Sequence, residues 1–335
     1  MNPKPTPLPD ASWRKLPRWR GFNLLNHYSS TWSNRPFEER EFRLIHDWGF
    51  NYARLPLDYR TWTVEGDWNR IDETFWRDID RALEFGRQCG IHICVNFHRA
   101  PGYCINPPVE PQSLWTSEEA QAICARHWAF VAKRYRGIHN RELSFDLFNE
   151  PKGLDNATYY RVAKILCEAI HREDPDRLII CDGNEAGTIP VPELIPLQVA
   201  QSTRGYQPFE LTHYKAPWVK DIGSMGFPVP TWPMPDGYDQ ARHWRECVEP
   251  WKALEARGVG VMVGEWGVYN QTPHDVMLRF AESVLGNWKK AGWGWALWNL
   301  SGDFGPLDSK RSDVVYENVD DCFTDLSYLE LLRRF

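Results

Sequence analysis

Short apolar runs and helix-period segments alternate along nearly the whole chain, and that alternation restricts the fold more than any other feature of the sequence. Runs with strand character are Arg20–Leu24, Tyr52–Leu55, His92–Phe97, Leu143–Phe148, Leu178–Cys181, Glu210–His213, Val261–Val263 and Gly294–Trp298. Helical patterns lie between them. One starts at about Pro36, a residue suited to the first helical position, and sets Phe42, Ile45 and Trp48 on one face. Another carries Phe75, Ile79, Ala82 and Leu83 at spacings of three and four. Others cover about Ser117–Arg136, Ala157–Arg172, Asp239–Arg257, His274–Lys290 and Asp325–Arg334. Strands separated by helices call for a parallel sheet, and eight of them predict an α/β fold closed into a (β/α)₈ barrel. An open doubly wound sheet is the competing arrangement. It would place a Gly-rich phosphate turn after the first strand, where this chain has Asn23-Leu24-Leu25-Asn26-His27-Tyr28.

A length of 335 residues allows two domains, but α/β barrels of this size form one. The expected organisation is a loose leader over residues 1–17 and a single barrel domain over residues 18–335. With 39 basic and 45 acidic residues the net charge is −6, and there is no basic block, so a nucleic-acid partner is not expected. The eight cysteines are scattered singly, and Cys94 and Cys181 sit inside apolar runs as small hydrophobes, so free thiols in a reducing compartment are expected. Met1–Asp10 is Pro-rich and lacks the apolar stretch of a signal peptide. No apolar run is long enough to span a membrane. The chain as given therefore reads as cytoplasmic, with secretion the alternative if a signal peptide has been removed. Nothing in the sequence specifies an oligomeric state.

Two connections are long and aromatic. Arg99–Ser117 follows the third strand and contains Tyr103, Cys104 and Trp115; Tyr214–Asp239 follows the sixth and contains Trp218 and Trp232. Loops of this kind on the C-terminal face of a barrel shape a substrate cleft. Trp32, Trp115, Trp218 and Trp232, among 18 tryptophans, are open to two readings: platforms for a flat ligand, or packing residues.

Barrel sites collect residues from the ends of several strands. Those positions hold Arg54, His98, Asn149 with Glu150, Asp182 to Glu185, His213 with Tyr214, Glu265 and Trp298. Glu150 lies in Phe148-Asn149-Glu150-Pro151 and Glu265 in Gly264-Glu265-Trp266-Gly267, each just after an apolar run. Two carboxylates facing each other from strand ends are the equipment for glycosidic bond cleavage, one as acid and the other as nucleophile or base. Asp182, Asn184 and Glu185 fit a hydrogen-bonded loop as well as a substrate contact, and Asp303 fits a turn as well as a ligand contact.

This set resembles glycoside hydrolase family 5, within the wider clan of (β/α)₈ retaining β-glycosidases. The family's eight recurring active-site positions find matches in Arg54, His98, Asn149, Glu150, His213, Tyr214, Glu265 and Trp298, and the resemblance runs from about Arg20 to the C-terminus. It implies double displacement, with Glu265 attacking the anomeric carbon and Glu150 acting first as acid, then as base. Arg54 and Tyr214 would then hydrogen-bond Glu265. Asn149 would bind the sugar 2-OH, His98 and His213 would bind hydroxyls or orient the carboxylates, and Trp298 would floor the subsite. No cofactor or metal is implied. A barrel metal hydrolase using His98, His213 and a carboxylate is the alternative, but it leaves Asn149, Tyr214 and Trp298 without a task. The implied substrates are β-linked oligo- or polysaccharides, foremost β-1,4-glucan or gluco-oligosaccharides. A β-mannan, or exo action on short oligosaccharides as a β-glucosidase or β-mannosidase, stands as the alternative. A barrel that binds sugar without cleaving it is the reading outside that class.

Overall fold

The computed structural model describes residues 7–219 and 227–335. Eight strands close a parallel barrel in the order β1-β8-β7-β6-β5-β4-β3-β2. In chain order they are β1 (Arg20–Asn23), β2 (Tyr52–Asp58), β3 (His92–Arg99), β4 (Leu143–Asp146), β5 (Ile179–Asp182), β6 (Ala200–Gly205), β7 (Val261–Trp266) and β8 (Trp295–Leu297). The barrel closes by pairing β1 with both β2 and β8, Gly21 standing opposite Tyr52 on one side and Ala296 on the other. Gly21 permits that approach, since a Cβ there would meet the Tyr52 carbonyl oxygen at 1.7 Å.

Side chains alternate between the barrel interior and the helical shell, as the two-residue period of a strand requires. Outward positions such as Ala53, Leu55, Ile93, Val95 and Phe145 join the main apolar core under the helices. Inward positions change character along the barrel axis. At the N-terminal end Tyr52, Cys94, Ile180, Ala200, Met262 and Ala296 form a separate apolar cluster with Trp19, whose ring stacks 3.7 Å from that of His92. Higher on the barrel wall stand Arg54, Asn96, Asp146, Asp182, Ser202 and Arg204, all buried. Charged groups are thus concentrated at the C-terminal end of the barrel.

The helices follow their sequence patterns closely: Glu39–Asp47, Glu73–Cys89, Glu118–Arg134, Asn156–Glu173, His274–Ala291 and Leu326–Arg334. The first begins at Glu39 rather than Pro36, because Glu38 and Glu41 form a reciprocal capping box there. The segment from Gln240 to Glu255 contains a π-helical turn over Trp244–Val248. Two hairpins, Thr63–Val64 with Asp67–Ile71 and Glu317–Val319 with Cys322–Thr324, had no sequence signal.

Two expectations need correction. The sixth strand is Ala200–Gly205, and the run Glu210–His213 expected there belongs to the short helix Phe209–Thr212 and the residue after it. The segment expected to be a loose leader is packed from Ala11 onward: Ala11 and Leu16 are buried against the lower barrel cluster, and the Trp13 carbonyl accepts the Gly260 N–H at 2.7 Å. Residues 1–6 of that leader lie outside the described residues.

Candidate active site

Two buried arginines organise the C-terminal end of the barrel, and they are wired alike. Arg54 on β2 donates to Asp146 through Nε at 2.9 Å, to Glu265 through Nη1 at 3.2 Å and to Asn149 through Nη2 at 2.9 Å. Arg204 on β6 clasps Asp182 with both terminal nitrogens, reaches Glu150 Oε1 through Nε at 2.9 Å, and donates to Asn149 from Nη2 at 2.9 Å. Each arginine therefore stands on one deep aspartate and holds one glutamate, and both share the Asn149 Oδ1. With that oxygen saturated, the Asn149 Nδ2 is buried without a protein partner, as is His98 Nδ1. Buried polar atoms are normally satisfied, so these two, with Asn96 Oδ1 and Asp146 Oδ1 at the same end of the barrel, are candidates to meet a ligand or water.

Glu265, at the end of β7, receives a second hydrogen bond from the Tyr206 hydroxyl at 2.8 Å. Glu150 follows β4 with φ at 51°, a left-handed backbone that only tight local bonding maintains in a glutamate. Its N–H donates to Asp182 Oδ2 at 2.9 Å, and its carbonyl accepts the Tyr103 hydroxyl at 2.7 Å. Glu150 Oε1 and Glu265 Oε2 lie 2.9 and 4.0 Å from the same Arg204 Nε. That common neighbour caps their separation at about 7 Å, so most of the spacing range of inverting glycosidases, about 6.5–9.5 Å, is excluded.

Four carboxylates and two guanidiniums in one buried cluster leave an excess of negative charge, which protons relieve. Burial, with the Glu265 carboxylate next in weight, pushes Glu150 up to about 7 despite the opposing Arg204. Burial and the Asp182 charge push Asp146 up to about 7 as well. Burial, with Arg54 and Arg204 behind it, holds His98 well below its ordinary value, and burial brings His213 down to about 3, so both imidazoles are neutral near pH 7.

Aromatic rings flank these carboxylates. The Trp298 ring stacks with His98 at 5.3 Å and meets the edge of Tyr28 at 5.4 Å; Tyr28 in turn contacts Trp32, which is 69% exposed. Elsewhere on the rim Trp218, 54% exposed, packs on Tyr269 at 4.8 Å and on Phe304 at 6.2 Å. Trp32 and Trp218 thus present accessible faces. Trp232 is buried, packed on Phe280 with its indole N–H donating to Ser283, and Trp115 is half-buried against Tyr103 and Phe148.

Of the residues singled out in the sequence, Arg54, His98, Asn149, Glu150, Glu265 and Trp298 come together at this end of the barrel. Asp182 and Asn184 prove to be internal: Asp182 serves Arg204 and the Glu150 N–H, and Asn184 bonds Leu154 O and Asn156. Glu185 accepts the Gly153 N–H, and Asp303 accepts from Asn270 Nδ2 at 3.2 Å. The strand-six pair is displaced. His213 stacks on Phe209 and stands edge-on to Tyr206, backing the site, while Tyr214 is buried beyond it with the Lys215 ammonium over its ring. Arg204 and Tyr206 occupy the strand end instead, and Tyr206 makes the bond to Glu265 expected of Tyr214. Sequence reasoning missed both because Ala200–Gly205 reads Ala-Gln-Ser-Thr-Arg-Gly, with no apolar run to mark a strand. The only signal was the spacing of two that puts Arg204 and Tyr206 on one side of an extended chain. Among the described residues no cluster of His, Cys, Asp and Glu has the makings of a metal site.

The chain matches the family model Cellulase (glycosyl hydrolase family 5) over residues 11–304. It is similar to Endoglucanase C of Acetivibrio thermocellus, 27% identical over 185 residues that cover 54% of this chain and 53% of that protein. It is also similar to Cellodextrinase A of Ruminococcus flavefaciens, 22% identical over 263 residues covering 76% of each chain. The alignments to the endoglucanases thus span about half of those relatives' length. A crystal structure of a glycoside hydrolase superposes with a TM-score of 0.88 at 38% identity, covering 95% of this chain and 99% of the other. Thermotoga maritima Cel5A, in complex with mannotriose, superposes with a TM-score of 0.77 at 21% identity over 95% and 98%, a likeness of fold.

Proposed function

The chain belongs to glycosyl hydrolase family 5, and on that premise we propose that it cleaves β-1,4-linked glucans or gluco-oligosaccharides by double displacement. The observation that carries this reading is the unequal treatment of the two glutamates. Glu265 accepts from a guanidinium and a phenol, two fixed donors that hold the carboxylate in place for attack. Glu150 is buried beside that anion and pushed up to about 7, so it keeps the proton an acid must give. Glu150 protonates the departing oxygen as Glu265 bonds the anomeric carbon, and then takes a proton from the water that releases the sugar. In this reading the Asn149 Nδ2, buried without a protein partner, donates to the sugar 2-OH, a contact that strengthens in the transition state.

A second reading, action on short oligosaccharides, is favoured by the similarity to a cellodextrinase over 76% of both chains. Product analysis on soluble cello- and manno-oligosaccharides separates the substrates. Cleavage at internal bonds of the cello series is expected for a glucanase; single sugars or disaccharides from one end mean exo action, and preference for the manno series replaces the substrate while keeping the mechanism. Glu265→Ala is expected to abolish turnover and leave sugar binding intact, whereas unchanged turnover overturns the mechanism. Glu150→Ala should retain kcat/KM on aryl glycosides with good leaving groups and lose about 10²–10⁴-fold in kcat/KM on poor ones, while kcat falls on both because release of the sugar also needs Glu150 as base. Equal loss of kcat/KM on both contradicts its role as acid.

A further inference from the structure

Arg204 has no task in the mechanism so far, yet the molecule is built around it. Its five N–H donors are all engaged: Nε by Glu150, Nη1 by Asp182 at 2.9 Å and Ser202 Oγ at 3.1 Å, Nη2 by Asp182 and Asn149. Two glycines leave it room. A Cβ on Gly187, whose φ is 76°, would stand 2.6 Å from the Arg204 Cγ, and one on Gly264 would stand 3.2 Å from its Nη1. Asp182 grips the guanidinium and also accepts the Glu150 main-chain N–H, so one carboxylate ties down both the arginine and the backbone of the residue it holds.

We propose that Arg204, anchored on Asp182, is a positioning residue that holds Glu150 as a carboxylate in the second half of the reaction. The proposal rests on Glu150 being the acid and base. The charge accounting gives the reason. In the first step Glu265 forms its bond to the anomeric carbon, the bond from that carbon to the leaving oxygen breaks, and the Glu150 proton goes to that oxygen. Glu265 becomes an uncharged ester, and the negative charge reappears on Glu150. The charge has crossed from the residue held by Arg54 to the residue held by Arg204. Arg54 bonds Glu265 while Arg204 bonds Glu150 at 2.9 Å and stands 4.0 Å from Glu265 Oε2, so a fixed cation is in place at each end of that transfer. The glycosyl-enzyme then needs Glu150 ionised to remove a proton from water, the form that Arg204 favours.

The groups facing Glu150 are Arg204 and Tyr206 from β6, Asp182 from β5, Glu265 from β7, and Tyr103 from the loop after β3, with Tyr28 after β1 and the Arg54–Asp146 pair farther away. Arg204 is the cation in direct contact, so its removal and that of Asp182 act on Glu150 with opposite sign. The pH profile of kcat/KM reports the acid in the free enzyme. In Arg204→Met the alkaline limb is expected to move up by about one pH unit, because the Glu150 anion loses its partner. In Asp182→Asn the limb is expected to move down, because a nearby anion is gone. On an aryl cellobioside with a good leaving group, where deglycosylation limits turnover, Arg204→Met should lower kcat about tenfold or more with a much smaller change in kcat/KM. Arg204→Lys, which keeps the charge, should return the limb towards the parent position. Unmoved limbs in both variants, with kcat and kcat/KM falling together, overturn the proposal and leave Arg204 a structural ion pair. If Arg204→Met does not fold, the direction of the Asp182→Asn limb decides alone: down supports the proposal, unmoved or up overturns it. Glu150→Ala run in parallel keeps the two questions apart. If it is selective for good leaving groups while the limbs stay fixed, only the role of Arg204 falls; if it is not selective, the assignment of Glu150 falls with it.

Discussion

Asn149 shows how much one residue does here. Its side-chain oxygen joins the two arginine arms, and its nitrogen is left without a protein partner. Tyr206 is the other residue whose value lies in one bond, the 2.8 Å contact to Glu265. A hydrogen bond to a charged group is worth about 1.5–3 kcal/mol, so Tyr206→Phe should lower kcat by about 10–100-fold, while Tyr214→Phe should leave it nearly unchanged. The reverse order of effects in steady-state kinetics would return the role to Tyr214. The same residues set the pH dependence. If Glu150 is the acid, it acts when protonated, and since burial beside Glu265 pushes it up to about 7, kcat/KM of the parent protein should fall as the pH rises through about 7. An alkaline limb near the ordinary carboxylate range of about 4 contradicts the assignment.

Among the elements, β6 explains where the sequence was readable and where it was not. Seven of the strands carry apolar outward positions that stand out as runs, and the barrel was legible from them. β6 is buried at every position yet built from small and polar residues, because its inward side chains line the charged end of the barrel. Arg204 and Tyr206 carry no strand signal for that reason, and the next short run, Glu210–His213, takes the place of the strand in the sequence pattern. The C-terminal part of the leader packs without a sequence signal for a related cause: Ala11 and Leu16 are too sparse for any period, but with Trp19 just beyond the leader they cover the apolar floor of the barrel. Packing between β6 and β7 is close enough to test. A Cβ on Gly264 would stand 2.2 Å from Ser202 Oγ. Gly264→Ala is expected to cost about 1–3 kcal/mol of stability in thermal or denaturant unfolding. Adding Ser202→Ala should recover part of that loss, since the two residues share one space. A double variant no more stable than Gly264→Ala alone contradicts the clash.

At the scale of the molecule, the barrel sorts its interior by polarity, apolar at the end sealed by Trp19 and charged at the end where Glu150 and Glu265 stand. Closure matters because the two glutamates come from strands far apart in sequence, and only the ring brings β4, β6 and β7 around one guanidinium. The pairing of a carboxylate held by Arg54 and Tyr206 with a second carboxyl that burial keeps protonated, less than about 7 Å away, is the central claim, and the proposed mechanism implies a covalent intermediate on Glu265. A 2-deoxy-2-fluoro-β-cellobioside with a good leaving group slows release of that intermediate enough for peptide mapping by mass spectrometry. The account predicts one added fluorosugar on the peptide that contains Glu265, and none in Glu265→Ala. Label on another residue, or no label while the substrate is turned over with inverted anomeric configuration, would contradict it.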